Sequence, residues 1–256
     1  MGRAWETFLK TVDQERVALA FEDDEECFFR GHEDVGWDLL PTLLRHCRQQ
    51  KIAAAEEIRD IESSLFFEFR ARARELHRES LTEWDILFSM RHHGLATRLL
   101  DWTETLGVAV FFALRNVTER STPCVWLLNA YALNEKSWEV RDLVAPEYLP
   151  QGDYDFSDYL VDNSKNAGFD WDEPVALYPM QRDARLHAQR GFFTIHGEDT
   201  KPLDQIAPDI LRQIPLPREA WEDARAFLQD AGIDEFLMYP DLDGLARHLH
   251  AKYGIL

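Results

Sequence analysis

The chain of 256 residues lacks several features that would assign it to familiar classes of protein. Its three cysteines, Cys27, Cys47 and Cys124, are too few and too irregularly spaced for a disulfide framework, and they suit a reducing compartment. No stretch approaches the roughly 20 uninterrupted apolar residues that a membrane-spanning helix needs, and the first ten residues hold no apolar signal core. We therefore expect a soluble, cytoplasmic protein that does not enter a membrane.

Basic residues are also scarce. Lys and Arg together number 28 against 47 Asp and Glu, which gives a formal net charge of −19. Non-specific binding to nucleic acid or to anionic lipid requires clustered Lys and Arg, so the overall charge opposes both, although a local basic pocket is still compatible with it. The sequence contains no glycine-rich phosphate loop, no GxSxG elbow and no GxGxxG motif.

The chain does have enough apolar material for a folded core, since 45% of its residues are hydrophobic and 12% are aromatic. Apolar spacing predicts a helix within residues 1–23 and further helices at about 38–48, 53–78, 82–94, 104–116, 218–232 and 243–254. Short apolar runs predict strands at CFFRGH, CVWLLNAYAL, VALYPM, GFFTIHG and LRQIPL. The helix and strand patterns disappear over residues 134–173, which predicts a long insertion or lid inside a single domain of residues 24–256. The sum is a mixed α+β fold with helices around a small sheet.

One charged motif lies at the end of the first predicted strand. Arg30 follows two phenylalanines and precedes Gly31, and burying its guanidinium without a partner would cost several kcal/mol. Either Arg30 forms a fixed ion pair with an acid such as Asp101, or it awaits an anionic ligand whose phosphate or carboxylate oxygens match its planar fork. Gly31 favours the ligand slightly, because a residue without a side chain lets a ligand approach the backbone.

A second charged motif, RHHGLATRLLDWTET, occupies residues 91–105, directly before the apolar run LGVAVFFAL. Thr82 and Asp85 form a capping-box pattern that predicts the start of the preceding helix, and Gly94 suits its end. The connection to the next helix is then so short that several of the charged groups must converge.

Two interpretations of this motif follow from the residues alone. In the first, Asp101 lies at the first turn of the next helix, where it interacts with exposed backbone amides and pairs with Arg98. His93, next to arginines, offers a hydrogen-bonding group that is usable near neutral pH.

Metal chemistry receives little support from the spacing. Cys27, His32, His46 and Cys47 do not follow a zinc pattern, so no metal site is predicted. Asp101, Glu104 and the histidines leave a metal-dependent nuclease open as an alternative function.

Several strings together resemble a known family. CFFRGH, LLPTLLRH, WDILFSMRHHGLATRLLDWTETLGVAVFFAL, AQRGFFTIHG and YPDLDGLARHL, spread over about residues 24–248, resemble the FRG domain, which is named for its Phe-Arg-Gly signature. FRG domains are similar to distant members of the ADP-ribosyltransferase-like group and occur in bacterial, phage-linked and defence-related contexts. The resemblance implies a small central split sheet surrounded by helices, with NAD held in a cleft.

The resemblance also implies roles for individual residues. It assigns catalytic positions to Arg30, His93 and Gln189, and NAD-binding positions to Arg30, Gly31, Thr97, Arg98 and Asp101. Arg30 would clamp phosphate or ribose, His93, Thr97 and Arg98 would face the ligand, and Asp101 would brace the arginines.

In that group a glutamate normally stabilises the positive charge that develops on the ribose. Gln189 stands in the corresponding place here and carries no charge. Either Asp101 or Glu104 supplies the negative charge instead, or the domain binds a nucleotide without transferring it.

The sequence therefore predicts a NAD-binding protein that acts as an ADP-ribosyltransferase or a NAD glycohydrolase, with an acceptor that stays open between protein, nucleic acid and water. A non-catalytic module that senses a nucleotide or binds a partner is the first alternative, and the nuclease is the second.

Overall fold

A computed structural model of the protein describes residues 2–73, 81–146, 159–160, 173–179 and 184–255. Both helices and strands occur along these residues, which confirms the predicted mixed class of helix and sheet. The strands are β1 (Phe28–His32), β2 (Leu99–Thr103), β3 (Cys124–Leu128), β4 (Val175–Leu177), β5 (Gly191–Ile195) and β6 (Leu211–Pro215). The helices are α1 (Arg3–Ala18), α2 (Thr42–Gln49), α3 (Ala55–Ala73), α4 (Glu83–His92), α5 (Leu106–Leu114), α6 (Ala130–Trp138), α7 (Ala184–Gln189), α8 (Leu203–Ile206), α9 (Trp221–Asp230), α10 (Glu235–Met238) and α11 (Leu242–Tyr253).

The six strands form one antiparallel sheet in the order β4-β5-β2-β1-β3-β6. Strand β1 pairs with β3 over five residues, and β2 pairs with β5 over five residues. The central pair, β1 with β2, meets only where Phe29 lies opposite Thr103. The sheet is therefore held firmly on each side of its middle and weakly at the middle itself.

Helix α5 fixes the position of β1. Its sequence, LGVAVFFAL, is buried along most of its length, and Val108, Ala109 and Val110 share a core cluster with Phe29. Helix α1 joins the same cluster through Trp5, Phe8 and Val12, which explains the apolar spacing in the first residues of the chain. Burial of this kind is the main source of stability for such helices.

Two boundaries differ from the sequence-based expectation. Asp101 lies in the middle of β2 and not in the first turn of a helix, since α5 begins only at Leu106 after Thr105. The predicted strand over 124–133 ends at Leu128, because Asn129 accepts a hydrogen bond from the Ala132 N–H at 2.9 Å and starts α6.

The predicted insertion over 134–173 begins inside α6. The Asn134 side chain donates to the Ala176 carbonyl at 3.0 Å and accepts from the Ala176 N–H at 2.7 Å, so its amide ties α6 to β4. Residues 147–158 and 161–172, where most of the insertion falls, lie outside the described residues.

Other expectations are confirmed. Thr82 and Asp85 form the predicted capping box of α4, and Gly94 follows that helix with a φ of +81°. The three cysteines are free thiols. Within the ranges given above, no helix has the length and apolar character needed to cross a bilayer.

A fully buried ion pair links α3 to the start of β2. Arg98 is 1% exposed and donates from Nε to a carboxylate oxygen of Glu62, which is 0% exposed. The remaining guanidinium nitrogens donate to the carbonyls of His196, at 2.7 Å, and Tyr159. Because every hydrogen-bonding group of the pair has a protein partner, the buried charges are tolerated.

Removing one member of this pair tests its contribution to stability. We expect Arg98→Met to lower the free energy of unfolding by about 3–5 kcal/mol, because Glu62 would be left buried without a cation. The double variant Glu62→Leu with Arg98→Met should be more stable than Arg98→Met alone, since it leaves no unpaired charge. Urea denaturation at neutral pH measures both values.

The control is Arg72→Met, which breaks an exposed pair on the same helix α3. Arg72 is 82% exposed and its partner Glu68 is 68% exposed, so we expect a change within about 0.5 kcal/mol. A loss for Arg98→Met as small as that of the control would contradict the assigned role of the buried pair.

Candidate functional site

A cavity of about 890 Å³ opens where β1 and β2 part. Strands β1, β2 and β5 form its floor, while α2, α4, α5 and α7 and the residues around Tyr239 form its walls. Five arginines and four acidic side chains line it, although acids outnumber basic residues by 19 over the whole chain. The charged lining residues are Arg30, Arg45, Arg91, Arg115, Arg185, Glu33, Asp85, Asp101 and Asp241.

Arg30 reaches across the opening between the two central strands. Its Nη1 donates to the backbone carbonyl of Asp101 at 2.7 Å and lies 3.5 Å from the Asp101 carboxylate. Its Nε donates to His32 Nε2 at 3.0 Å. The guanidinium therefore takes the place of the strand pairing that β1 and β2 do not make here. The second terminal nitrogen, Nη2, has no hydrogen-bond partner among the described residues, and the side chain remains 16% exposed.

His32 holds the Arg30 side chain in this orientation as an uncharged acceptor. Burial, followed by the neighbouring charges of Arg30 and Arg45, lowers the pKa of His32 to about 3. A neutral imidazole that accepts at Nε2 has its proton on Nδ1. His32 thus fixes Arg30 without adding to the positive charge of the site.

Asp101 is the carboxylate on which the arginines converge. Its two oxygens accept from Arg91 Nε at 3.0 and 3.1 Å, and Oδ2 also accepts from Arg91 Nη2. Partial burial would raise the pKa of Asp101, but attraction to Arg91, hydrogen bonds from Arg91 and attraction to Arg30 outweigh it and lower that pKa to about 2. Asp101 is therefore ionised at neutral pH and pairs with two guanidinium groups.

Arg45, on α2, is the least compensated of these cations. Its Nη2 donates to Thr42 Oγ1 at 3.1 Å, and the same hydroxyl oxygen accepts from Arg91 Nη1 at 2.9 Å. Burial, and then repulsion by Arg91, lowers the pKa of Arg45, although attraction to Asp101 acts in the opposite direction. Among the described residues Arg45 has no carboxylate within ion-pair distance. Its charge is thus available to a ligand.

Gly31 lines the cavity, but the structure gives it a packing role. A Cβ on Gly31 would lie 2.0 Å from the Ala109 carbonyl oxygen and 2.6 Å from the Ala113 nitrogen, both on α5. Only glycine allows α5 to approach β1 this closely. The expected contact of a ligand with the Gly31 backbone is therefore replaced by contact with a helix.

His93 and Gln189 lie on the cavity wall. His93 is exposed at the end of α4, where its ring contacts His92 edge to face with centroids 4.8 Å apart. The side-chain Nε2 of Gln189 donates to the Met238 carbonyl at 2.9 Å. The backbone carbonyl of Gln189 accepts from Thr103 Oγ1 at 2.7 Å. The Gln189 amide therefore also joins α7 to the end of α10.

Thr97 and Arg98, which were expected to face the ligand, do not line the cavity. Thr97 is fully buried, and its hydroxyl accepts from the Leu99 N–H at 3.3 Å. Arg98 is committed to Glu62, so the predicted pair of Arg98 with Asp101 is wrong. The physical reason is that residues an odd number apart along a strand point to opposite faces of the sheet.

The segment that carries Arg30, Arg45, Arg91 and Asp101 matches a known family. Residues 25–122 match the family model of the FRG domain. The chain contains an FRG domain. No curated protein and no solved structure matches the chain. The FRG match runs from just before β1 to the approach to β3, and the wider extent expected from the sequence, to about residue 248, stays a prediction.

Of the two acids named as substitutes for that glutamate, Asp101 lines the cavity but already pairs with Arg91 and Arg30. Glu104, the second candidate, is not among the cavity-lining residues. Burial and the adjacent Glu26 raise the pKa of Glu104, and Arg190 lies 3.7 Å away. In the part of the chain that the structure describes, no three His, Cys, Asp or Glu side chains are grouped to hold a metal ion.

The assigned site residues did not include five arginine and tyrosine residues of the cavity wall: Arg45, Arg91, Arg115, Arg185 and Tyr239. Three of them, Arg45, Arg91 and Tyr239, occur in strings that carry the FRG resemblance, whereas Arg115 directly follows such a string and Arg185 lies three residues before one. Their convergence depends on contacts between segments far apart in the sequence, which spacing alone does not reveal.

The pH dependence of stability tests the state of Asp101. Its folded pKa of about 2 lies below the ordinary value of about 3.9, so its stabilising effect is complete above pH 4 and is lost as the pH falls through 2. We expect the difference in urea midpoint between the wild type and Asp101→Asn to be largest near pH 5 and to narrow toward pH 2.5.

Asp13→Asn, at an exposed position on α1, serves as the matched control and should show a small difference from the wild type. If the Asp101→Asn difference stayed constant from pH 5 to pH 2.5, the assigned ionisation of Asp101 would be wrong.

Proposed function

We propose that the FRG domain cavity binds NAD or a related nucleotide and that bond cleavage or transfer takes place at the N-glycosidic bond. The observation that carries the proposal is the cluster of Arg30, Arg45 and Arg91 around the single carboxylate of Asp101, inside a chain whose net charge is −19. Such an excess of guanidinium groups in a cavity favours an anion.

The guanidinium nitrogens that the cluster does not use as donors suit phosphate oxygens. Among the described residues, Arg30 Nη2 has no hydrogen-bond partner and Arg45 donates only from Nη2, to Thr42, so the other nitrogens can bind a ligand. Guanidinium groups bind phosphate through pairs of parallel hydrogen bonds. The volume of about 890 Å³ falls in the range of about 300–1,000 Å³ typical of small-molecule sites.

Trp37 offers a platform for a base. Its side chain lies on the cavity lining, is 47% exposed and has its ring 6.1 Å from the His32 ring. Exposed aromatic rings beside arginines are characteristic of nucleotide sites, because a base can stack on the ring while its phosphate pairs with the cation.

An ADP-ribosyltransferase-like arrangement is part of the same proposal. Support comes from the parting of β1 and β2 after the pair Phe29 and Thr103, and from Arg30 on β1 beside that opening. The resemblance described above gives the NAD-binding arginine this position, and it also suggests a defence role in bacteria.

The charges available for catalysis are limited. Bound NAD would supply a glycosidic bond that breaks with positive charge developing on the ribose, which a carboxylate stabilises. Asp101 is ionised and partly exposed, but Arg91 and Arg30 already pair with it. Gln189 can hold a ribose hydroxyl through its amide oxygen. These commitments favour a nucleotide-binding module without turnover as the second candidate function.

Calorimetric titration with NAD tests binding. We expect Arg45→Gln to weaken NAD binding about tenfold or more, because a charge-assisted hydrogen bond contributes about 1.5–3 kcal/mol. Arg48→Gln on the same helix is the matched control, since Arg48 is half-exposed and paired with Asp38 outside the cavity lining. Its affinity for NAD should equal that of the wild type.

Two outcomes separate the candidate functions. Release of nicotinamide from bound NAD, with or without added acceptor proteins, supports the enzyme, whereas binding without release supports the non-catalytic module. Equal NAD affinity in Arg45→Gln and the wild type, or no binding by either, would overturn the proposal.

A further inference from the structure

A second group of cations surrounds Tyr239, and among the described residues neither Arg30 nor Arg45 makes a cation–π contact with this ring. The guanidinium carbons of Arg115 and Arg185 each lie 4.6 Å from the centroid of the Tyr239 ring. Arg115, Arg185 and Tyr239 all line the cavity. Arginine over an aromatic ring is held in place by the face of the ring while its edge nitrogens remain free for other partners.

The charges in this group are only partly balanced. Glu235 accepts from Arg115 Nε at 2.7 Å and Arg115 Nη2 at 3.1 Å, and also from Arg247 Nε at 3.0 Å. Arg115 Nη1 donates to the Tyr239 hydroxyl at 2.7 Å. One carboxylate thus pairs with two guanidinium groups.

Arg185 is the member of this group that has no carboxylate partner among the described residues. Its one hydrogen bond within the described residues runs from Nη1 to the His92 carbonyl at the end of α4, at 3.0 Å. No carboxylate among those residues lies within ion-pair distance of it. Arg185 is near enough to Asp101 to contribute to lowering its pKa, after larger effects from Arg91 and Arg30. Nε and Nη2 of Arg185 thus have no partner among the described residues and can donate to a ligand in the cavity.

We propose that Arg185 and Arg115, arranged around Tyr239, form a second anion-binding subsite that takes a phosphate group of the ligand, separate from the subsite of Arg30 and Arg45. The two groups make different contacts: Arg45 donates to Thr42 Oγ1, whereas Arg185 donates to the His92 carbonyl and lies over the Tyr239 ring. The ligand class is a small molecule with at least two anionic groups. The proposal rests on the proposed nucleotide binding only for the identity of that molecule.

The second subsite also assigns a role to residues beyond the FRG match. Arg115 lies within residues 25–122, whereas Arg185 and Tyr239 lie well outside them. The C-terminal part of the chain thus completes a cavity that begins between β1 and β2.

Anomalous diffraction from crystals soaked in selenate tests the subsites without reference to any nucleotide. We expect two peaks in the wild-type cavity, one beside Arg30 and Arg45 and one beside Arg185 and Tyr239. Arg185→Gln should lose only the second peak, and Arg45→Gln only the first. Arg185→Lys keeps the charge and should keep the second peak, which separates loss of the anion from loss of the fold.

Arg247→Gln is the matched control. Arg247 lies 5.0 Å from the same Tyr239 ring and shares Glu235, but it does not line the cavity, so both peaks should persist. Absence of a wild-type peak at Arg185, or an undiminished peak in Arg185→Gln, would overturn the second subsite.

NAD titration of the same variants connects the subsite to the ligand. We expect Arg185→Gln to weaken NAD binding about tenfold and Arg247→Gln to leave it within about twofold. Unchanged affinity in Arg185→Gln overturns the assignment to a ligand phosphate. Two selenate peaks in a wild type that does not bind NAD would instead retain the subsites and overturn the proposed nucleotide function.

Discussion

The carboxylate of Asp101 is the interaction on which the site depends. Guanidinium groups repel one another strongly at short range when water is scarce, so Arg30 and Arg91 need a shared counterion to occupy one cavity. Asp101 provides it from the middle of β2. A single negative charge holds the cluster together but does not neutralise it, because Arg45 and Arg185 add positive charge without a carboxylate of their own among the described residues. The positive charge that Asp101 does not neutralise favours an anionic ligand.

The incomplete pairing at the middle of the sheet and the placement of Arg30 have one structural origin. Because β1 and β2 meet at a single residue pair, the Asp101 carbonyl is left for a side chain, and Arg30 donates to it. Strand β1 keeps its position without full pairing because α5 packs directly on Gly31. The signature Phe-Arg-Gly can thus be understood physically: Phe29 is buried against α5, Arg30 bridges the opening, and Gly31 admits the helix.

The sequence predicted the existence of most elements and one half of the site. Apolar periodicity identifies α1, α4 and α5, and the strings around Arg30 and Asp101 mark the right residues. The partner of Arg98 was missed because Asp101 was expected at the first turn of the next helix, where Arg98 could pair with it. Residues three apart share a face of a helix, whereas they lie on opposite faces of a strand. With β2 extended, Arg98 points to Glu62 in the interior and Asp101 points to the cavity.

The other half of the site depends on contacts between distant segments. Arg185 and Tyr239 reach the cavity only because α7 precedes β5, which pairs with β2, and because Gln189 ties α7 to Met238. No local sequence pattern predicts that Arg185 and Tyr239 lie at the cavity.

The contrast between the acidic chain and the basic cavity also bears on which anions can enter. Charges separated by more than about 8 Å are largely screened at physiological salt, so a small nucleotide bound as proposed would interact mainly with the arginines around it. A long nucleic acid would have to lie across a surface that belongs to a chain of net charge −19, where its phosphates meet acidic side chains. The same distribution of charge thus favours small anionic ligands and disfavours polymeric ones, which is the selectivity that a nucleotide-binding cavity requires.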